Sequence, residues 1–330
     1  MNLGILSKYR SELMGLSAIS ILICHAPGNG VLMPDILNKI LSLGAYGVDV
    51  FFFLSGFGLW YSLENHFKSQ GRGGVMQWYK KRYLRLLVPY LIIAVPYSIA
   101  HCIIKEESCW FIPNYVFTLT FWTRHIGAWF IDALIPIYLL TPALFKGFKK
   151  VNNNWRIMVI LCIIPLILAI IPNNSIEPRY TIWGNIQFVL LRVPSFIFGM
   201  WLAPYIKREK EVPYIGLIII SSILFFLISN ILGFWGATFM SIPFLAFFLI
   251  IIHYSNNLIG GLFRFMGKIS LESYMFNVCL PLLLIKNMDW QICNIDLSYG
   301  QYIPYLSVII LGFGGSCLVH NLSNYLIRKI

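Results

Sequence analysis

The sequence predicts an all-α, polytopic integral membrane protein with about ten transmembrane helices and both termini in the cytoplasm. Three observations predict this class. Of the 330 residues, 58% are hydrophobic and only 12% are charged, which is about half the charged fraction of a typical soluble domain. Apolar runs of about 20 residues, long enough to cross a hydrocarbon core, recur from end to end. The lysines and arginines are also distributed unevenly among the predicted loops.

Each predicted helix is a largely apolar segment bounded by polar residues, glycine or proline. The ten segments are 11–27, 42–63, 83–105, 125–146, 155–173, 184–206, 213–233, 235–254, 269–287 and 303–327. Segment 110–121 is also apolar, but it is short and Pro113 interrupts it, so we predict a re-entrant or interfacial segment there. No internal repeat and no long linker divides the chain. We therefore expect a single transmembrane domain over residues 1–330.

The distribution of positive charge predicts the orientation of these helices. Nineteen of the 25 lysines and arginines fall on one side of the predicted membrane, five fall on the other, and Arg192 lies within a span. Cytoplasmic loops carry such an excess, so the termini are predicted to be cytoplasmic. Topology and contact with anionic membrane lipids also account for the net charge of +12, and we expect no nucleic-acid partner.

Four ionisable residues fall at comparable depth in the outer half of the predicted bundle. They are His25, Asp49, Asp132 and Arg192. Charged groups at this depth are costly, so they usually have a partner or a function. An imidazole beside a carboxylate is the arrangement that a general base needs. Alternatively, Arg192 pairs with an aspartate and only fixes helix packing. Asp132 and Arg192 are therefore candidates for contact with substrate or transition state.

A basic run, Trp78–Tyr90, opens the third predicted helix near the cytoplasmic side. Arg82 and Arg85 are three residues apart, which places them on one helix face. Their forked guanidinium groups match phosphate geometry better than lysine does. This pair predicts an anion-binding site, and the alternative is a plain topology signal. The seven cysteines show no metal-ligand spacing, so we predict no metal site; Cys109 and Cys293, in outer loops, are placed to form a disulfide.

Several blocks of this sequence resemble the integral-membrane acyltransferase 3 family. GVDVFFFLSGF (Gly47–Phe57) resembles the signature of the family's second helix, and KRYLRLLVPY (Lys81–Tyr90) resembles its RxxR-containing third helix. AWFIDALIPIYLLTPAL (Ala128–Leu144) is similar to its tryptophan-led segment, and MGKISLESYMF (Met266–Phe276) is similar to its late GKxSxxxY helix. Helix 1 ends in a histidine, His25, where the family has its essential one. The blocks occur in matching order over nearly the whole chain.

This resemblance implies transfer of an acetyl or short acyl group from acyl-CoA to a hydroxyl of a carbohydrate acceptor. The acceptor would be an envelope glycan or a lipid-linked sugar at a bacterial cytoplasmic (inner) membrane. Acetyl-CoA would be a co-substrate, with no bound cofactor. His25 would be the catalytic base, held by Asp49, while Arg82 and Arg85 would face the CoA phosphates. Further candidates for contact with substrate or transition state are Ser55, Gly56 and Trp129.

Two positions depart from the family pattern. Many members have arginine at the position of Met14, whereas here Arg10 lies one turn earlier, about 60° from His25 around the helix. Asn277 replaces a frequent histidine at the end of the late motif. Two other functions remain open: a transporter or flippase of a lipid-linked or anionic sugar, and an acyltransferase-like subunit that has lost its chemistry. Oligomeric state leaves no readable trace in the sequence.

Overall fold

The structure is a computed structural model that describes residues 2–69, 74–211, 213–232, 238–285 and 302–330. Within these ranges the secondary structure is helical, with no strand longer than an isolated bridge. The helices are α1 (Gly4–Lys8), α2 (Arg10–Cys24), α3 (Asp35–Ser42), α4 (Gly47–Ser69), α5 (Val75–Lys105), α6 (Phe111–Val116), α7 (Leu119–Arg124), α8 (Trp129–Lys150), α9 (Trp155–Ile170), α10 (Ile182–Leu190), α11 (Val193–Lys207), α12 (Tyr214–Leu232), α13 (Ser241–Tyr254), α14 (Asn257–Lys268), α15 (Ser270–Leu280) and α16 (Tyr302–Lys329).

The helices are long and apolar enough for a multi-pass membrane protein. By length and composition, the stretches in the described residues that could cross a membrane are Asp35–Ser69, Val75–Lys105, Trp129–Lys150, Ile182–Lys207 and Tyr302–Lys329. The pair Asn257–Lys268 and Ser270–Ile285, bent by 74°, would add a sixth. Shorter apolar helices are Trp155–Ile170, Tyr214–Ser229 and Thr238–Tyr254. The all-α membrane class is confirmed, while the count of ten spans and the side of the termini stay predictions.

Several helices differ from their predicted form. The segment predicted as one helix, 184–206, is two helices, α10 and α11, which meet at Arg192 just before Pro194. Proline at the second position starts a new helix readily because its missing N–H needs no partner there. The third predicted helix begins earlier, at Val75, so Arg82 and Arg85 lie inside α5 rather than at its start. α3 and α14 replace what the sequence indicated as loops.

Segment 110–121 is occupied mainly by the short helices α6 and α7. Thr118 separates them in a left-handed conformation, with φ of 66°. A six-residue helix rises only about 9 Å, far less than a hydrocarbon core requires. Neither helix crosses a membrane by itself, in agreement with the predicted re-entrant or interfacial segment.

Helix α4 lies at the centre of the bundle, between α2, α8, α11 and α13. Its residues Val50, Phe52 and Leu54 are fully buried although they point in different directions around the helix. A helix that is hydrophobic all round is one that is buried on all sides. The continuous apolar sequence of the second predicted span therefore reflects its central position.

Glycines allow two of the closest helix crossings. A Cβ atom at Gly56 of α4 would lie 2.1 Å from the carbonyl oxygen of Phe196 in α11. A Cβ atom at Gly267 of α14 would lie 1.9 Å from the carbonyl oxygen of Ser11 in α2. Any larger residue would push these backbones apart, because small residues are what permit close approach between membrane helices. These crossings hold α4 against α11 and α2 against α14, and side chains of α2 and α4 form part of the site below.

Candidate active site

A cavity of about 480 Å³ lies between α2, α4, α5, α8 and α15. Three arginines reach its wall from two helices: Arg10 from α2, and Arg82 and Arg85 from α5. No aspartate or glutamate side chain is among the described residues that line it. A concave site lined by cations without carboxylates has the electrostatic character of an anion-binding site.

Arg82 is held by a serine that the sequence analysis did not single out. The Oγ atom of Ser62, on α4, accepts hydrogen bonds from Arg82 Nη2 and, at 2.8 Å, from Trp78 Nε1. The Nε atom of Arg82 is buried and has no hydrogen-bond partner within the described part of the chain. One side of the guanidinium is therefore fixed, and the rest of its donor capacity stays available.

Arg10 lines the same cavity from a different helix, α2. Its Nη2 atom donates to the backbone oxygen of Leu54 at 3.3 Å, and its guanidinium carbon lies 5.4 Å from the centroid of the Phe57 ring. A Cβ atom at Gly58 would lie 2.5 Å from Arg10 Nη2, so the missing side chain at Gly58 provides the space for this guanidinium. Met14, one turn along α2, also lines the cavity. Arg10 thus supplies a guanidinium to the same cavity that is lined by Met14, the position at which the family pattern has arginine.

The part of the cavity away from the arginines is lined mainly by apolar and aromatic side chains with a few hydroxyl groups. Phe51 and Phe130 lie there with Ser55, which was predicted as a substrate contact. Ser270 and Tyr274, from the late motif, also line this cavity. The hydroxyl of Tyr274 accepts a hydrogen bond from the backbone N–H of Phe130 at 3.3 Å, and its own proton stays available.

A second cavity, of about 720 Å³, adjoins the first. The two cavities have four lining residues in common: Ser62, Asn65, Arg82 and Arg85. The arginine pair therefore lies where the cavities meet, and both predicted phosphate-binding residues face open space. The first cavity is called the inner cavity below, and the second is called the basic cavity.

His25 follows the last residue of α2 and is exposed. Its ring makes no hydrogen bond to any residue that the structure describes. Its backbone N–H donates to the backbone oxygen of Leu22 at 3.3 Å, and its backbone oxygen accepts from Asn29 Nδ2 at 2.8 Å. The ring does not line the inner cavity. Met14, which does, precedes His25 by 11 residues, or about 16 Å of helical rise.

The structure joins Asp49 to Arg192 rather than to His25. Asp49 Oδ2 accepts a charged hydrogen bond from Arg192 Nη1, and both side chains are almost completely buried. Arg192 also lies over the ring of Phe188, 5.7 Å from its centroid. The predicted Asp49–His25 contact is therefore absent, and the alternative, an arginine–aspartate contact between helices, is what forms. It joins the first turn of α4 to the break between α10 and α11.

Three other predicted residues lie outside the inner cavity. Gly56 is at the crossing with α11 described above. Trp129 is the first residue of α8, and its ring packs against the rings of Phe52 and Phe188, with centroids 6.3 and 4.7 Å away. Asp132 is 2% exposed, and its Oδ1 atom has no hydrogen-bond partner among the described residues.

Neither disulfide nor metal chemistry contributes to this arrangement within the described residues. Across that part of the chain, no group of three or more His, Cys, Asp or Glu side chains could hold a metal ion. Cys109 is exposed. The disulfide predicted for it stays a prediction, because Cys293 lies outside the described residues.

Comparison with known families identifies the chain. A family model with the description "Acyltransferase domain" matches residues 13–321, nearly the whole length. The protein belongs to the acyltransferase 3 family. No curated protein and no solved structure matches the chain. The matched range includes most of α2 and all of α4, α5, α8 and α15, and therefore most of the lining of both cavities; Arg10, Ile327 and Ile330 lie outside it.

In this acyltransferase family member, sequence reasoning found some cavity residues and missed others. Arg82, Arg85 and Ser55 were predicted to contact ligand, and the cavity includes all of them. Ser270 and Tyr274 had a signal, because both belong to the late motif. Tyr138 had one too, because it lies in the block Ala128–Leu144. Ser62 and Asn65, which also line the cavity, belong to no recognised motif, and only helix packing brings them there.

Proposed function

We propose that this protein transfers an acetyl or short acyl group from acyl-CoA to a hydroxyl of an envelope carbohydrate at a bacterial cytoplasmic membrane. Membership of the acyltransferase 3 family supports the acyl transfer and the carbohydrate acceptor. One structural observation supports acyl-CoA as the acyl donor. Three guanidinium groups, from Arg10, Arg82 and Arg85, converge on a cavity with no carboxylate side chain in its described lining.

The free-energy cost of leaving buried arginine donors without acceptors favours the binding of an anionic ligand. Arg10 and Arg82 each keep a buried Nε–H without an acceptor among the described residues. An unsatisfied buried donor costs about 1–3 kcal/mol, and more when it is charged. Phosphate oxygens accept several N–H groups at once in a forked geometry. The diphosphate of CoA would relieve this cost and would enter from the side on which the basic residues are concentrated.

The inner end of the cavity suits the rest of the donor. Phe51, Leu59 and Leu134 provide apolar walls for a pantetheine arm and a small acyl group. Hydroxyl groups of Ser55 and Tyr274 reach the same space. A hydrogen bond from one of them would stabilise the oxyanion that forms when the thioester carbonyl is attacked.

For the chemical step, we retain His25 as the base. A ring nitrogen would take the proton of the acceptor hydroxyl while the hydroxyl oxygen attacks the thioester carbonyl. The tetrahedral intermediate would then expel the CoA thiolate, which takes the proton from the imidazolium. Because His25 does not line the inner cavity, and Met14, which does, lies about 16 Å of helical rise before it on α2, this step requires the helices around α2 to open a passage when the donor binds.

The structure leads us to propose Asp132 instead of Asp49 as the carboxyl group that contacts the substrate. Asp49 is neutralised by Arg192, so it has little capacity to raise the basicity of an imidazole. Asp132 is buried, and its Oδ1 atom has no partner among the described residues. An intramembrane carboxylate in this state is a candidate for ligand contact. We therefore propose that Asp132 accepts a hydrogen bond from a second hydroxyl of the acceptor sugar and so orients the hydroxyl that reacts.

One assay tests the proposed function against its main alternative. Purified protein in lipid nanodiscs is mixed with acetyl-CoA and a polysaccharide fraction from a bacterial envelope. We expect release of free CoA and addition of acetyl groups to the polysaccharide, detected by mass spectrometry. A transporter or flippase would move its substrate across vesicles without releasing CoA, and that result would reject the acyltransferase. The Arg82→Ala, Arg85→Ala double variant is the control and should release little CoA.

A further inference from the structure

The basic cavity adds two lysines to the arginine pair. Lys80 and Lys81 both line it and are exposed, and they directly precede Arg82 on α5. Gln77 and His66 line it as well. No aspartate or glutamate side chain is among its described lining residues. The concentration of positive charge therefore continues from the inner cavity into the basic cavity.

Both lysines retain donor capacity for a ligand. Lys80 Nζ donates one hydrogen bond, at 3.4 Å, to the backbone oxygen of Ile330. An ammonium group has three donors, so two remain. Lys81 makes no hydrogen bond or ion pair to any residue that the structure describes. A compact, mobile ammonium group suits a phosphate monoester, for which a forked donor is not required.

The positions of the phosphate groups in CoA match the arrangement of the two joined cavities. CoA carries a diphosphate between its pantetheine arm and its ribose, and a separate monoester on the ribose 3′ oxygen. If the diphosphate lies at Arg82 and Arg85 and the pantetheine arm in the inner cavity, the ribose falls in the basic cavity. We propose that Lys80 and Lys81 bind the 3′-phosphate and thereby select CoA over thioester donors that lack it. This inference rests on the proposed function.

A phosphate monoester is also carried by some membrane lipids, and lysines beside a membrane attract anionic headgroups. The two sources can be separated. A lipid would bind these lysines whether or not the donor carries a 3′-phosphate, and only in membranes that contain anionic lipid. The nucleotide would bind in membranes of any charge and would require its own monoester.

The experiment measures the affinity of the full-length protein for acetyl-CoA and for acetyl-dephospho-CoA, which lacks only the 3′-phosphate. Nanodiscs of phosphatidylcholine, with and without phosphatidylglycerol, hold the wild type and the Lys80→Ala, Lys81→Ala double variant. We expect the wild type to prefer acetyl-CoA by at least about tenfold, because two charged hydrogen bonds are lost without the phosphate. We expect the double variant to lose that preference and to bind acetyl-dephospho-CoA about as well as the wild type does.

A matched control removes the same charge elsewhere. Lys146 and Lys150, on α8, are exposed and line neither cavity. Their double alanine variant should keep the preference for acetyl-CoA. Equal weakening of both donors by the Lys80→Ala, Lys81→Ala variant would overturn the inference, because it would mean general electrostatic attraction. An effect confined to phosphatidylglycerol nanodiscs would also overturn it in favour of a lipid headgroup. If the wild type bound neither donor, the proposed function itself would fail.

Discussion

The guanidinium of Arg192 binds the carboxylate of Asp49, and both side chains are buried in the bundle. The carboxylate lies in the first turn of α4, where the helix dipole also favours negative charge. The arginine lies at the break between two helices, α10 and α11. The contact therefore holds α4, the central helix, against a discontinuous neighbour, and it gives Asp49 a partner other than the His25 ring.

Breaking this ion pair is expected to destabilise the fold. Asp49→Asn leaves a buried arginine without its counter-charge, which typically costs about 3–5 kcal/mol. We expect a lower thermal unfolding temperature for the Asp49→Asn protein in detergent. The double variant Asp49→Leu, Arg192→Leu should recover part of the loss, because an apolar pair of similar size leaves no buried charge. A stable Asp49→Asn protein without transfer activity would instead place Asp49 in the chemistry.

The histidine at the end of α2 is expected to affect chemistry alone. His25 is exposed, and its ring is not bonded to any described residue, so His25→Ala should leave the fold and acetyl-CoA affinity unchanged. Loss of a general base lowers the transfer rate by about 10² to 10⁴. The rate is followed as release of free CoA in the presence of acceptor. His253→Ala, at another exposed histidine, is the control, and a His25→Ala protein with the wild-type rate would remove His25 from the mechanism.

A glycine next to the arginine cluster provides a test of the third guanidinium. In Gly58→Ala the added methyl group meets Arg10 Nη2 at 2.5 Å, so Arg10 must move away from the cavity. We expect acetyl-CoA affinity to fall about tenfold, as in Arg10→Ala, because a charged hydrogen bond is lost.

Two further variants make this test specific. Gly147 lies inside α8, and a Cβ atom added there would meet no atom of a neighbouring element within 4 Å, so Gly147→Ala should have wild-type affinity. Combining Gly58→Ala with Arg10→Ala should cost no more than either alone, since both remove the same contact. Additive losses, measured by calorimetry, would show that Gly58 acts on something other than Arg10.

The buried carboxyl groups of Asp49 and Asp132 should respond differently to the same substitution. Asp132 has no hydrogen-bond partner for Oδ1 among the described residues, so Asp132→Asn leaves no cation unpaired and replaces a costly buried ionisable group with a neutral amide. We expect unchanged or higher thermal stability, unchanged acetyl-CoA affinity, and a raised KM for the acceptor. A destabilised Asp132→Asn protein with the wild-type KM would assign Asp132 a structural role like that of Asp49.

Much of the helical arrangement could be predicted from local sequence. The apolar run over 42–63 became α4, and the spacing of Arg82 and Arg85 was enough to place them on one face of α5. The break at Arg192 was missed because Leu190 and Leu191 keep the segment apolar across it. α14 was missed because glycines and charges in 257–268 resemble those of a loop, although its apolar side packs against α2 through Gly267.

The sequence by itself determined the membrane class, the helical segments and the family, because hydropathy, charge asymmetry and motif order are properties of each segment alone. Only the tertiary structure decided that Asp49 meets Arg192, that Arg10 joins Arg82 at one cavity, and that Ser62 holds Arg82. Those contacts depend on which helix faces pack together and how closely. The closeness of this packing is set by side-chain volume where helices meet, as at Gly56 and Gly58, and the residues that meet there are far apart in the chain.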